Sequence, residues 1–356
     1  MGITDLFATI AKKSPQVYKP IKDWTIYSGK RFAIDVSMMM HAYSYHVDDN
    51  DSSYVHNFIN YSKKLATFNI TPIYVFDGVA PAAKKQETER RMQQQMNLKR
   101  KIVESGENLE KLKQVVRDVK KTRKSPEKSC KEEDPVTFIS TLFHPTLVTY
   151  HPNPVISTPP TVESVSKMSD WEMQCLIQVQ QDKIVQMNKC KRKVRSEHFS
   201  MLKKLLAENG LAYVQAPGEG EKECVKMCLE NLADVVVSND SDCLPLGAPI
   251  LIRNILSTNP KFPPTEVCVA DVLKAWGWTK EMFLDYCILC GSDFNRDHIP
   301  TLGPQSAFKF ISQYRNLESF LKSMHIAKYD IPYKKKYGAP LKDWDYQAIR
   351  SEFAIQ

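Results

Sequence analysis

Seven carboxylates stand where an ordered element should end or begin: Asp35, Asp77, Glu219, Glu221, Asp240, Asp242 and Asp293. The clearest instance is Val235-Val236-Val237-Ser238-Asn239-Asp240-Ser241-Asp242, three β-branched residues followed by two acids one residue apart. Such a run reads as a buried strand, and in an open parallel sheet the carboxyl ends of the strands form the ligand crevice. Acids leaving the strands on that edge can converge on a cation. Seven of them in one crevice would repel and raise one another's pKa unless cations neutralise them. Hard divalent ions take oxygen ligands, and Mg²⁺ suits a few carboxylates with retained water. Two such ions, roughly 3.5 to 4 Å apart, can activate a water and stabilise the leaving oxygen of an in-line phosphoryl displacement. No His or Cys cluster competes; Cys287 and Cys290 have a zinc-like gap but no second pair nearby.

The elements that must position these acids follow the strand-helix-strand order of an α/β fold. Arg31 to Val36 reads as a strand ending at Asp35, a helix is expected from about Tyr54 to Phe68, and Ile73 to Phe76 leads into Asp77-Gly78. Leu211 to Gln215 is a strand before Pro217 and a helix opening on Glu219 and Glu221. A further strand is expected within Pro249 to Ile255, then helices over 266–276, 279–290 and about 305–314. The fold expected is a central, mostly parallel sheet flanked by helices.

Composition narrows the setting. The 356 residues are 42% hydrophobic, enough for a substantial core, and no apolar run is long enough to span a bilayer. The N-terminus lacks a signal-peptide pattern, so an intracellular protein with reduced thiols is expected. Net charge is +8, yet residues 84–131 alone carry 16 Lys or Arg against 7 Asp or Glu. A basic segment beside clustered carboxylates suggests a polyanion held near bound cations. Residues 125–165 are rich in Pro, Ser and Thr and read as an insertion; the basic run Lys189 to Arg195 suits either nuclear import or a nucleic-acid-facing helix.

Taken together, the motifs MGI (1–3), AIDVSM (33–38), VFDG (75–78), APGEGE (216–221), NDSDCLPLG (239–247), CILCGSDF (287–294) and LGP (302–304) resemble the flap endonuclease family, which includes exonuclease 1 and the xeroderma group G nuclease. The likeness covers Met1 to about Arg91 and about Glu197 to Leu321. All seven acids of that family's pattern are present. It implies a nuclease fold of the PIN-like type, with an N-terminal nuclease region at 1–91, a basic helical arch at 84–210 bearing the insertion, and an internal nuclease region at 211–325. A helix-turn-helix would lie at about 279–314, and 326–356 would be a C-terminal extension.

The resemblance implies that the seven acids hold two Mg²⁺, with Mn²⁺ as a substitute, and that Lys84 and Arg91 contact the scissile phosphate. Gly2, His41, Lys85, Arg90 and Gly303 fall where the family meets DNA. His41 stands where a Tyr is usual, which resembles the exonuclease 1 branch. The helix-turn-helix, where the family binds K⁺, has Thr301 for its first Gly, with Gln305 and Ser306 where basic residues are common. A weaker duplex grip is expected, and the long span between Asp77 and Glu219 bears on threading of a flap through the arch. The C-terminus carries no sliding-clamp motif, and a monomer is expected. The implied activity is metal-dependent hydrolysis of DNA at 5′ flaps or junctions in nuclear replication or repair. Its rivals are a 5′-to-3′ exonuclease acting on DNA or RNA and a non-catalytic junction binder.

Overall fold

The computed structural model describes residues 2–44, 52–79, 81–122, 165–191, 194–294 and 298–355. The expected Pro-rich insertion therefore lies almost wholly outside the described residues. Contacts divide the chain into two units, Met1–Arg91 with Lys193–Gln356, and Met92–Arg192.

The first unit is built on a seven-stranded sheet in the order β1-β7-β6-β5-β2-β3-β4. The strands are β1 (Lys19–Pro20), β2 (Arg31–Asp35), β3 (Thr71–Phe76), β4 (Tyr213–Gln215), β5 (Val235–Val237), β6 (Leu251–Arg253) and β7 (Thr265–Val267). From β6 to β4 all pairings are parallel, while β7 and β1 add antiparallel strands at the β6 edge. The central strands are buried on both faces, which is why they read as unbroken apolar runs. Val235 and Val237 join one core with Phe32, Ile34, Tyr74 and Phe76, while Val236 joins the other with Ala33 and Val75.

Helices cover both faces. One core takes residues from α2 (Val36–Ser44), α3 (Asn57–Ala66) and α6 (Ser196–Glu208). The other takes α1 (Leu6–Lys13), α7 (Gly220–Leu229), α8 (Val269–Trp276), α9 (Lys280–Cys290) and α10 (Pro304–Tyr314). The helix expected over 266–276 begins only at Val269, because Thr265–Val267 pairs with β6, burying Thr265 and Val267 and turning Glu266 outward. Residues 326–355 pack on this unit: α11 (Leu317–Leu321) leads to α12 (Ala327–Tyr337) and α13 (Tyr346–Glu352), and Leu341, Trp344, Ile349 and Phe353 enter the core.

A long helix, α4 (Lys85–Thr122), starts in the first unit and runs into the second. There Leu112, Val116 and Val119 form a stripe at helical spacing, buried with Val165 and with Met173 of α5 (Asp170–Lys189). Between Asp170 and Glu208 the described residues form two helices, α5 and α6.

Candidate active site

Each strand end delivers its acid already fastened. Asp35 closes β2 and is buried; it accepts hydrogen bonds from the Met38 amide at 3.2 Å and the Ser238 hydroxyl at 2.9 Å. Asp77 follows β3 and accepts from the Ser37 hydroxyl and, at 2.8 Å, from the Gly220 amide. Because β3 and β4 run parallel, the segment after β4 returns beside Asp77, and a Cβ on Gly220 would lie 2.7 Å from Asp77 Oδ1. Glycine there permits the close approach that brings Glu219 and Glu221 to the same edge. After β5, Asp240 accepts from the Asp242 amide at 3.0 Å and caps the tight turn Ser241–Cys243. The Ser238 hydroxyl accepts from the Asp240 amide at 3.1 Å while donating to Asp35, so one serine ties two strand ends together.

Lys84 is the hub of this cluster. The short helical turn Ala82–Lys84 buries it, and its ammonium lies 2.5 Å from Glu219, 3.1 Å from Glu221 and 3.9 Å from Asp242. The Phe294 ring forms another wall, its centroid 4.5 Å from Nζ. Burial opposes the lysine's charge, but Glu221, Glu219 and Asp242 outweigh it and hold the pKa above its ordinary value. Arg91 reaches Asp293 at 2.5 Å and Glu87 at 2.7 Å, which links the start of α4 to the acid that follows α9.

The carboxylates show the strain of sharing this space. Burial, then Glu221 and Asp77, push Asp35 well up; burial, then Asp240, do the same to Asp242. Glu219 is raised to about 7 by burial and by Glu221, with Lys84 pulling the other way. Asp242 is fully buried, and neither of its carboxylate oxygens has a hydrogen-bond partner. A carboxylate in that position calls for a cation, and oxygen-only donors fit a hard divalent ion. With Lys84 among the acids, no three His, Cys, Asp or Glu side chains of the described residues are drawn around a common point.

Comparison with known proteins places this geometry. Residues 1–98 match the model of the XPG N-terminal domain and residues 210–293 that of the XPG I-region, together just over half of the chain. The chain belongs to the flap endonuclease and XPG family of 5′ nucleases. Flap endonuclease 1 of Zea mays is 27% identical over 365 residues, covering 99% of this chain and 75% of the relative. Flap endonuclease 1 of Naegleria gruberi is 33% identical over 174 residues, covering 49% of this chain and 42% of the relative. Among solved structures, the catalytic core of Rad2 in complex with DNA substrate matches with a TM-score of 0.58 at 16% identity, over 99% of this chain and 85% of that one. Flap endonuclease-1 from Methanococcus jannaschii matches with a TM-score of 0.50 at 20% identity, over 89% and 80%.

The other residues expected to serve this XPG-family chain are spread more widely. Gly2 is held against the cluster with φ +82°, and a Cβ there would lie 2.1 Å from Asp240 Oδ1 and 2.6 Å from Asp242 Oδ1. His41 is exposed on α2, Lys85 is exposed at the start of α4, and exposed Arg90 is engaged by Glu87 at 2.6 Å. Gly303 is the N-cap of α10, following Thr301 at φ +66°. Residue types and spacing alone do not point to the hydroxyls of Ser37 and Ser238, to Glu87 or to Phe294. Ser37 and Ser238 each lie two positions from a strand-end acid in sequence, the one signal that could have found them.

Proposed function

We propose that the carboxylate cluster is the catalytic centre of a structure-specific 5′ nuclease that hydrolyses DNA phosphodiesters at 5′ flaps or junctions in replication and repair. The observation that carries the proposal is Asp242, a fully buried carboxylate with no hydrogen-bond partner on either oxygen, its pKa pushed up by burial and by the nearby charges of Asp240, Asp293 and Glu221. Asp35, Asp77, Glu219, Glu221, Asp240, Asp242 and Asp293 would hold divalent ions, Mg²⁺ by the hardness of the donors, and when bound these polarise the phosphate and activate water.

The chain's own groups do the remainder. Lys84, held at the cluster by Glu219 and Glu221, and Arg91, aimed by Glu87 and Asp293, supply donors for phosphoryl oxygens as charge builds in the transition state. Ser37, Ser238 and the Gly220 amide keep Asp35 and Asp77 in place before substrate arrives. Backbone carbonyls of the turn before Gly303 would take K⁺, and Gly2, His41, Lys85 and Arg90 would contact DNA. The protein would act as a monomer in the nucleus.

The test is cleavage of a double-flap DNA labelled on the 5′ flap strand, with Mg²⁺ or EDTA, beside Asp240→Ala. A metal-dependent product of flap length, absent in the variant, is expected. Mononucleotides would favour the exonuclease reading that the exposed His41 suggests, and tight binding without turnover a junction binder.

A further inference from the structure

The helix-turn-helix of this chain is poor in charge where it should meet a duplex: α10 opens with Pro304-Gln305-Ser306, and its N-cap Gly303 provides no side-chain hydrogen bond. Charge is concentrated instead just beyond it. Residues 322–342 contain six lysines and one acid, Asp330, whose carboxylate accepts from the Leu341 amide at 2.7 Å. Lys328, Lys334, Lys335 and Lys336 all lie on α12, and the last three are exposed. Among the described residues none of these four has a carboxylate within salt-bridge reach. Three lysines on other helices are paired with a glutamate three or four residues away, Lys113 with Glu110, Lys204 with Glu208 and Lys226 with Glu230.

The patch is also fixed in place. Tyr329 and Tyr333 are buried, anchoring one side of α12. Tyr337 donates its hydroxyl hydrogen bond to the carbonyl of His298, which lies in the turn between α9 and α10, at 2.9 Å. Lys336 Nζ stands 4.7 Å from the centroid of the Tyr337 ring. By helical spacing, Lys328 and Lys335 share one stripe and Lys334 flanks it. Unneutralised like charges on a rigid helix beside the turn favour a polyanion partner. Single strands are usually held by exposed aromatic platforms, whereas here the tyrosines face inward, so the phosphate backbone of a duplex is the better fit.

We propose that the lysine face of α12 is a second duplex-backbone contact that compensates for the uncharged start of α10; this rests on the nuclease reading above. The test measures binding of a fully paired duplex in EDTA over a series of salt concentrations, for the wild-type chain, for Lys334→Gln/Lys335→Gln/Lys336→Gln, and for the corresponding triple Arg variant. With three phosphates lost, the slope of log affinity against log salt should become shallower by about 2.7, and affinity should fall about tenfold or more. The Arg variant should keep the wild-type slope, and single-strand binding should be unchanged. A Gln variant with the wild-type slope, in a protein that still cuts flap DNA, overturns this inference. A wild-type protein that neither binds nor cuts flap DNA overturns the nuclease reading instead.

Discussion

Gly2 and Glu219 show how narrowly single residues are constrained at this centre. A side chain on Gly2 would meet Asp240, Asp242 and Ser241 at once, on a backbone already at φ +82°. Gly2→Ala should therefore displace Asp240 and Asp242, and displacement of that kind costs about 10²-fold in rate. Single-turnover cleavage beside an unchanged circular dichroism spectrum checks this, and a wild-type rate would refute it. Glu219 gives the pH response. Its pKa of about 7 in the fold exceeds its ordinary 4.5, so folding takes up a proton between those values. Its contribution to the metal-free protein is then most favourable below the window and declines as pH rises through it. A divalent ion replaces that proton. Mg²⁺ should raise the unfolding temperature more at pH 8 than at pH 5.5, and thermal melts at the two pH values would show it. An equal rise at both would contradict the assignment.

Among the elements, α13 matters to the site although it touches no acid of the cluster. Its Arg350 pairs with Asp285 of α9 at 2.5 Å and with Glu318 of α11 at 2.9 Å, and α9 ends just before Asp293. Asp285 is buried, and its other oxygen accepts from the Leu317 amide at 2.9 Å. Arg350→Ala strands that charge and should cost about 3 kcal/mol in urea unfolding. Adding Asp285→Asn, which removes the charge but keeps an acceptor for Leu317, should recover part of the loss; no recovery would place Arg350's effect in packing alone. Nothing in the sequence announces this tie, since its partners stand 65 and 32 positions apart. The sheet was legible for a physical reason: β2, β3 and β5 are covered on both faces and so appear as apolar runs that stop at acids. By contrast, β7 is three residues long with a glutamate in the middle, and it runs directly into α8. The positions of Asp35, Asp77, Asp240 and Asp242 at or just after strand ends were likewise readable. The resemblance pointed to Lys84 and Arg91; that Lys84 would be held between Glu219 and Glu221 was not legible, because it depends on the short turn Ala82–Lys84 bending Lys84 inward while Lys85 stays exposed.

For the molecule as a whole, the carboxylate cluster belongs to one of the two units. Every contact described at the carboxylate cluster, including those of Lys84 and Arg91, is made within Met1–Arg91 and Lys193–Gln356. The other unit has its own small core, in which Leu112, Val116 and Val119 meet Val165 and Met173. Residues 126–163 fall outside the described residues. Replacing them with a short Gly-Ser linker should leave the Mg²⁺ concentration for half-maximal cleavage unchanged on a DNA with a short 5′ flap. If the insertion governs passage of a single strand, the change should appear only as the flap lengthens. Cleavage of matched short-flap and long-flap substrates across a Mg²⁺ series separates these outcomes. Selective loss or gain on long flaps assigns the insertion to substrate admission, whereas an equal loss on both, with a shifted Mg²⁺ midpoint and an intact fold, would place part of the catalytic centre within it.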